Sequence, residues 1–405
     1  MPFKETCPVE ERIALLRDYD TGLFTLAELA ARHGVSRETA YVWKRRRETG
    51  EARWFDDRSR APGHCPHRTA PDQLAAILAL RRRFPMFGPK KLKARLGMEH
   101  AGVPWPAAST IGDILKREGL IAAQPRRRRP VAHGEIPAGP DRLNGEWATD
   151  FKGWFRTRDG RRCDPLTLTD TASRFLIDTR IIAPTQEGVR AVLEQAFRAY
   201  GLPDAIRSDN GAPFGSTGGG GLSRLAVWWL RLGIEPRYIP PGSPQHNGRH
   251  ERMHRTLKAE TSKPAASDAC EQQARFDTFR QRYNEERPHE ALGQTTPASH
   301  WQPSGRPYPD RIEEPWYDAD HQLRRVRSQG EIKWRGELVF IGEALIGEQV
   351  GIAELENGDH IVRFCTRDLG VIDHRFCFLR FAPPRARLRA AQETKAKKVS
   401  GMLPV

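Results

Sequence analysis

The sequence has no run of about 18 apolar residues, which a membrane-spanning helix would need, and its first residues, MPFKETCPVEER, lack the apolar stretch of a signal peptide. Only six cysteines occur among 405 residues, and no two of them form a CxxC pair. That spacing indicates neither a zinc ribbon nor a disulfide framework. We therefore expect a cytoplasmic protein with reduced cysteines and no membrane partner.

Basic residues outnumber acidic ones at both ends of the chain, whose net charge is +15. Residues 1–130 contain 26 Lys and Arg against 15 Asp and Glu, and residues 385–398 contain six against one. The segment between them is close to neutral. A polyanion that contacts both ends explains this distribution better than general solubility does, and nucleic acid is the obvious polyanion.

Residues 24–50, FTLAELAARHGVSRETAYVWKRRRETG, predict two short helices joined by a glycine turn. Thr25 and Glu28 form a capping box before the first helix, and Ser36 caps the second. This arrangement is typical of a helix-turn-helix, whose second helix enters the major groove of DNA. On that helix we expect DNA contacts from Arg37, Thr39, Tyr41, Lys44, Arg45 and Arg46.

A second helical unit is predicted from helices at 72–83, 88–97 and 107–118, the last capped by Ser109 or Thr110. It is typical of another helix-turn-helix or a winged unit. The following stretch, QPRRRRPVAHGEIPAGP, is rich in proline and predicts an extended linker. Its four consecutive arginines are expected to lie along DNA phosphates: Arg126, Arg127, Arg128 and Arg129.

The middle of the chain alternates strand and helix patterns, which predicts a mixed α/β layer fold. Asp150 lies at the centre of a strand, where Asp is disfavoured, Asp209 directly follows another strand, and Glu251 lies on a helix after the turn-forming SPQHNG. The alternative for Glu251 is a helical ion pair with Arg255, four residues on. If the fold brings the three carboxylates together, cations must neutralise them, and oxygen ligands suit Mg²⁺ or Mn²⁺.

The segments WATDF, IRSDNG and PQHNGRHERMHRTLK resemble the DDE transposases of bacterial insertion sequences and the retroviral integrase core, which have an RNase H-like fold. YNEERPHEALGQTTPASHW resembles the segment that closes that core in these transposases. The resemblance covers roughly residues 8–375 and places the two family aspartates on Asp150 and Asp209 and the family glutamate on Glu251. Between Asp209 and Glu251 lie 41 residues, more than is usual in the family, and STGGGGLS supplies the excess.

The resemblance implies that the three carboxylates are catalytic and bind two Mg²⁺ or Mn²⁺ ions, with Asp150 as the bridging ligand. His254, Arg255 and Lys258 share the helical face of Glu251 and are expected to hold DNA phosphates beside the ions. The implied partners are the double-stranded ends of a mobile element and target DNA. Pairing two ends implies at least a dimer, in the bacterial cytoplasm at the nucleoid.

Short strand patterns between residues 323 and 373, with hairpin turns at 328–330 and 356–359, predict a small barrel. The family often has an SH3-like barrel here, which contacts DNA or serves as a packing module. The predicted domains are a helix-turn-helix at 1–55, a second helical domain at 68–122, a basic linker at 123–140, an RNase H-like catalytic core at 141–302, a β-barrel at 318–382 and a basic, disordered tail at 383–405.

These features together predict a transposase that cleaves DNA strands and transfers them to a target. Two alternatives stay open: a transcriptional regulator with an inactive core, and a nuclease of the same fold without strand transfer.

Overall fold

The computed structural model describes residues 7–50, 52–59, 68–121, 142–151, 153–216, 221–239 and 248–381. The chain divides after Thr69 into two units. None of the described helices combines the length and the apolarity that crossing a bilayer requires.

The first unit contains three helices, and local side chains set where they begin. They are α1 (Pro8–Asp20), α2 (Leu26–Arg32) and α3 (Arg37–Glu48). The predicted capping box of Thr25 and Glu28 is present, and the Ser36 hydroxyl accepts a hydrogen bond from the Thr39 amide. Gly34 makes the turn between α2 and α3 with a φ of 65°, which glycine adopts without steric cost. The predicted helix-turn-helix is therefore confirmed in its local structure.

The second unit begins with three more helices around their own apolar core. They are α4 (Pro71–Arg83), α5 (Pro89–Glu99) and α6 (Ala108–Arg117). The predicted helices are confirmed, but the predicted cap of the last one is wrong. Ala107 occupies the cap position, and Ser109 and Thr110 lie inside α6. Proline in the first turns of α4 and α5 sets the backbone angle that a helix start needs.

A five-stranded mixed sheet follows, in the order β5-β4-β1-β6-β7. β4 is antiparallel to both β1 and β5, whereas β1, β6 and β7 are parallel. The strands of this sheet are β1 (Trp147–Phe151), β4 (Pro165–Asp170), β5 (Leu176–Ile181), β6 (Ala205–Ser208) and β7 (Glu235–Tyr238). A short hairpin, β2 (Phe155–Arg156) and β3 (Arg162–Cys163), lies between β1 and β4 in sequence.

Helices cover both faces of this sheet: α7 (Gln186–Tyr200) and α8 (Arg224–Arg231), then α9 (Gly248–Thr261) and α10 (Ala269–Glu285). Two consecutive residues of β5 pack against different helix pairs. Ile177 packs with α7 and α8, and Leu176 packs with α9 and α10. Because consecutive strand residues point to opposite faces, the sheet lies between the two helix pairs. The predicted α/β core is confirmed.

The C-terminal region is rich in strands, as predicted, but the strands do not close into the predicted SH3-like barrel within the described residues. Five strands form an open sheet, and two form a separate hairpin. The strands are β8 (Gln322–Arg325), β9 (Glu331–Trp334), β10 (Glu337–Phe340), β11 (Gln349–Glu354), β12 (His360–Phe364), β13 (Arg367–Ile372) and β14 (Phe378–Arg380). In the part of the chain that the structure describes, β8 and β14 are the two edges of the open sheet, and β9 pairs with β10 alone.

Helix α8 joins this C-terminal region to the mixed sheet because it is buried on two sides. Trp228 and Trp229 pack in the core of the mixed sheet, and Ala226 and Leu230 pack among the C-terminal strands. Arg231, at the end of α8, adds an ion pair of 2.5 Å to Glu348. The C-terminal strands are thus an extension of the second unit rather than a module on a free linker.

Candidate active site

Parallel pairing of β1 and β6 brings the two predicted catalytic aspartates to one edge of the sheet. Ala148 pairs with Arg207, so the same register continued by two residues places Asp209 beside Asp150. Both residues lie at the carboxyl ends of parallel strands, where loops leave room for ligands. Asp150 is half-buried and Asp209 is exposed. The two acids are 59 positions apart in sequence, and the hydrogen bonds of the sheet bring them together.

The third predicted carboxylate, Glu251, lies in the first turn of α9 and faces the same cavity as Asp150. This cavity has a volume of about 580 Å³. Neither the Glu251 carboxylate nor the Arg255 guanidinium forms an ion pair with any described residue, so the alternative of a Glu251–Arg255 helical pair finds no support. Asp209 does not line this cavity. Residues 240–247, which lead into α9, lie outside the described part of the chain.

Three cations line the cavity beside the acids: Arg255, Lys258 and Lys263. Arg255 and Lys258 lie on the face of α9 that the sequence predicted, and both are exposed. An open, basic cavity next to two carboxylates offers oxygen ligands for a hard cation and positive charge for the phosphates of a nucleic acid. The donor atoms at this end of the sheet therefore fit Mg²⁺ or Mn²⁺.

Although Asp209 as a residue is exposed, neighbouring protein atoms displace part of the solvent around its carboxyl and raise its pKa above the ordinary value. The Gly211 amide donates a hydrogen bond of 3.3 Å to Asp209 Oδ1 and offsets part of this effect. A cation bound at this carboxylate would favour the charged form and lower the pKa. The surroundings of Asp209 thus suit a carboxylate that gains a positive partner.

His254 lies in a different environment from the one predicted. Its side chain is buried, its Nδ1 lies 3.9 Å from Asp150 Oδ2, and its Nε2 lies 2.6 Å from the Thr167 hydroxyl. His254 also lines the cavity of Asp150 and Glu251, and its expected contact with a phosphate stays a prediction. The ring supports the strand that carries Asp150.

His250, one helical turn before His254, was not among the predicted site residues. The His250 ring is buried, with Nε2 also 2.6 Å from the Thr167 hydroxyl. Thr167 Oγ1 donates in turn to the main-chain oxygen of Asp150, at 3.1 Å. The spacing of four residues between the two histidines was the available signal, but their burial against β4 depends on the fold. Asp150, His250 and His254 together offer three ligand atoms within 4.8 Å of one another.

Asp170, the last residue of β4, has a structural role. It is buried and accepts hydrogen bonds from the Asn144 amide at 3.0 Å and from the Ser173 amide and hydroxyl at 2.7 and 2.6 Å. These bonds hold the turn between β4 and β5.

The predicted DNA-contacting side chains of α3 fall into two groups. Arg37, Tyr41 and Arg45 are exposed and follow one another at four-residue intervals along one face. Lys44 instead donates to the Tyr19 hydroxyl at 3.0 Å, and Arg46 lies over the Trp43 ring at 4.5 Å. Thr39 makes a bond of 2.8 Å with Ser36 at the helix start.

The predicted contacts of Arg126, Arg127, Arg128 and Arg129 lie outside the described residues.

Two segments of the chain match family models described as an integrase core domain, residues 140–244 and residues 232–297. Residues 39–115 match a homeodomain-like domain, and residues 11–63 match a helix-turn-helix domain. The chain therefore carries an integrase core preceded by helix-turn-helix sequences, and the resemblance drawn from its motifs is confirmed.

Two similar proteins come from bacterial insertion elements. The "Insertion element IS407 uncharacterized 31.7 kDa protein" of Burkholderia multivorans is 29% identical over 189 residues, 45% of this chain and 65% of that protein. The "Insertion element IS476 uncharacterized 39.2 kDa protein" of Xanthomonas euvesicatoria is 28% identical over 194 residues, 45% of this chain and 52% of that protein. The chain thus spans between half and two thirds of these relatives. Among solved structures, the catalytic core domain of BIV integrase is similar with 21% identity and a TM-score of 0.30, over 39% of this chain and 93% of that one.

Proposed function

We propose that this chain is a DNA transposase that binds the ends of a mobile element, cleaves a DNA strand and joins it to a target. The observation that best supports the proposal is that Asp150 and Glu251 line one basic cavity at the end of the mixed sheet. Asp150 and Asp209 end neighbouring parallel strands, and Glu251 faces the cavity of Asp150. Two carboxylates that share a cavity, with Asp209 expected beside them, would be stabilised by a cation, and the match to integrase core models supports the reaction class.

Asp150, Asp209 and Glu251 would hold Mg²⁺ or Mn²⁺, and we infer two ions. Such ions would activate the attacking hydroxyl and stabilise the oxygen that leaves. The remaining side chains position the substrate. Arg255, Lys258 and Lys263 line the cavity and would hold phosphates of the strand. His254 contacts Asp150 from the buried side and would fix the orientation of its carboxylate.

We also propose that each domain has a separate function, with the domain boundaries that the sequence predicts. The helix-turn-helix at 1–55 would read the element ends through Arg37, Tyr41 and Arg45, which are exposed on α3. The helical domain at 68–122 and the linker at 123–140 would add contacts to phosphates. The core at 141–302 would carry out the chemistry, the C-terminal strands would contact DNA or a second copy, and two copies would pair two ends.

The experiment that tests the proposal uses the full chain with labelled duplexes made from the DNA that flanks its coding sequence, a target plasmid and Mg²⁺. Joined products are expected from the wild type. No joined products are expected without a divalent cation or from the Asp209→Asn variant. The control is Glu194→Gln, which removes a carboxylate that pairs with Arg198 on α7, and it should behave as wild type. Cleavage without joined products would indicate the nuclease alternative. DNA binding without cleavage would indicate the regulator.

A further inference from the structure

A second basic cavity of about 540 Å³ lies along α9, next to the cavity that Glu251 lines. Its cations come from four separate parts of the second unit: α5, the turn after β4, α9, and the segment after α10. They are Lys91, Arg174, Arg249, Arg252, Arg255 and Arg287. Among the residues that the structure describes, one carboxylate, that of Glu290, lines the cavity with them, and it forms an ion pair of 2.7 Å with Lys90.

Protein neighbours leave much of this positive charge unbalanced. Lys91, Arg252 and Arg255 form no ion pair with any described residue. Arg287 pairs with Glu260 at 3.0 Å, and Arg174 donates to the main-chain oxygen of Thr171 at 2.8 Å. Placing several cations around one cavity with so few acids costs free energy, because like charges repel where water is partly excluded.

Burial and mutual repulsion act together on the groups that line the cavity. The pKa of Lys91 is lowered to about 8, mainly by burial and to a smaller extent by the charge of Arg287. Burial, followed by the charge of Arg249, lowers the pKa of Arg174 to about 10. Burial, followed by Lys91 and Arg287, lowers the pKa of His289 to about 3, so its ring is neutral near pH 7. An anion in the cavity would relieve this repulsion.

The two basic cavities meet at Arg255, which lines both of them. A phosphodiester strand whose reacting phosphate lay beside Glu251 would meet this second group of cations next. We propose that the cavity between α5, α9 and the segment after α10 is a binding site for the phosphate backbone of DNA, next to the proposed catalytic site. This inference rests on the proposed function, since it assigns the strand that the catalytic carboxylates would act on.

Because of the position of Lys91, DNA bound in this cavity would also connect two parts of the second unit. Lys91 belongs to the helical group α4–α6, whereas Arg252 and Arg287 belong to the integrase core. The same junction is bridged by Lys90 to Glu290 at 2.7 Å and by Arg83 to Glu286 at 3.5 Å. A phosphate held by Lys91 and Arg252 together would tie the helical group to α9. DNA binding would thereby stabilise the arrangement in which the site forms.

The test measures equilibrium binding of the full chain to a short fluorescent duplex at several KCl concentrations, without divalent cation so that no strand is cut. The pocket variant is Lys91→Gln with Arg252→Gln. The matched control is Lys93→Gln with Arg198→Gln, which removes two exposed cations from α5 and α7. The pocket variant should bind about tenfold more weakly at low salt, and the slope of log affinity against log salt should fall by about 0.9 for each phosphate that is no longer bound. The control should match the wild type.

A thermal scan without DNA checks the same cavity independently. Because the pocket variant removes repelling charges, its Tm at low salt should be equal to or above that of the wild type, unlike that of a variant that damages the fold. If the double variant does not fold, each single variant is measured in the same binding assay. Titration with sodium sulfate then separates a DNA site from a site for a free anion.

Four outcomes overturn the inference. Equal salt slopes for pocket and control variants would do so while leaving the proposed function intact. A sulfate-dependent rise in Tm that only the pocket variant loses, with an unchanged DNA slope, would assign the cavity to a small anion. If the Tm of the pocket variant were below that of the control variant, and every variant that folds bound DNA normally, the cations would have a structural role. No duplex binding by the wild type would remove both this inference and the proposed function.

Discussion

The helices of the first unit and the site at the end of the mixed sheet differ in how far apart in sequence their determining contacts lie. In the first unit, Thr25 bonds with Glu28 and Ser36 with Thr39, each across three residues. In the core, pairing of β1 with β6 brings the strands that lead to Asp150 and Asp209 together, and Thr167 meets His250 across 83 residues. Hydrogen bonds between near neighbours determine where the helices of the first unit begin, whereas contacts between distant residues form the candidate active site. Substitutions in the two regions should therefore differ in what they damage.

The largest effect is expected at the three carboxylates. Asp150→Asn, Asp209→Asn and Glu251→Gln each keep the shape of the side chain but remove the charge that a metal ion needs. Strand-joining yield should fall by several orders of magnitude, with Tm and DNA affinity unchanged, and double variants should be barely worse than single ones because the three act as a unit. Near-normal yield from Glu251→Gln would move the chemistry away from α9.

Thr167→Val tests the buried contact that links α9 to the strand of Asp150. It removes the hydroxyl that both histidine rings approach at 2.6 Å. We expect a decrease of about 1–3 kcal/mol in unfolding free energy, because buried polar atoms would be left without a hydrogen-bonding partner. Joining should fall as well, and Thr167→Ser should restore both by returning the hydroxyl. Equal damage from the Ser and Val variants would assign the effect to packing alone.

Substitutions of two arginines on α3 can distinguish a role in DNA contact from a role in stabilising the fold. Arg37 is exposed, whereas Arg47 forms a pair of 2.6 Å with Asp20 of α1. Arg37→Ala should leave Tm unchanged and reduce the preference for element ends over random duplex by about 1–3 kcal/mol. Arg47→Ala should affect Tm slightly and the preference little. Competition binding with the two duplexes measures this, and the reverse result would assign recognition to another face.

The smallest effect is expected at a single helix cap. Ser36→Ala removes the acceptor for the Thr39 amide and should destabilise the first unit by about 1 kcal/mol, as measured by thermal or urea unfolding. Ser109→Ala is the matched control, because Ser109 lies within α6 and does not occupy its cap position. That control should be neutral or slightly stabilising, since Ala favours a helix interior. Equal destabilisation by both would mean that cap position has no bearing on stability here.

Much of the fold follows from patterns that the sequence shows directly. Helices α2 and α3, the strand that holds Asp150 and the helix that carries Glu251 all lie where the residues predict them. One cap shows the limit of that method: Ser109 and Thr110 are better cap residues than Ala107, yet α6 starts at Ala108. Packing of Ile111 and Leu115 in the core of this helical group outweighs the cap, because burial of large side chains contributes more than one capping bond.

The amino-acid sequence by itself determined the helix starts of the first unit, the strand alternation and the identity of the three acidic residues, since these depend on neighbours within a few positions. Only the tertiary structure decided that His254 is buried against Thr167, that the C-terminal strands stay open and pack on α8, and that Lys91 and Arg252 line one cavity. Each of these depends on which surfaces meet after residues far apart in sequence come together. Hydrophobic burial and strand pairing select those surfaces, and neither is visible in a short window of sequence.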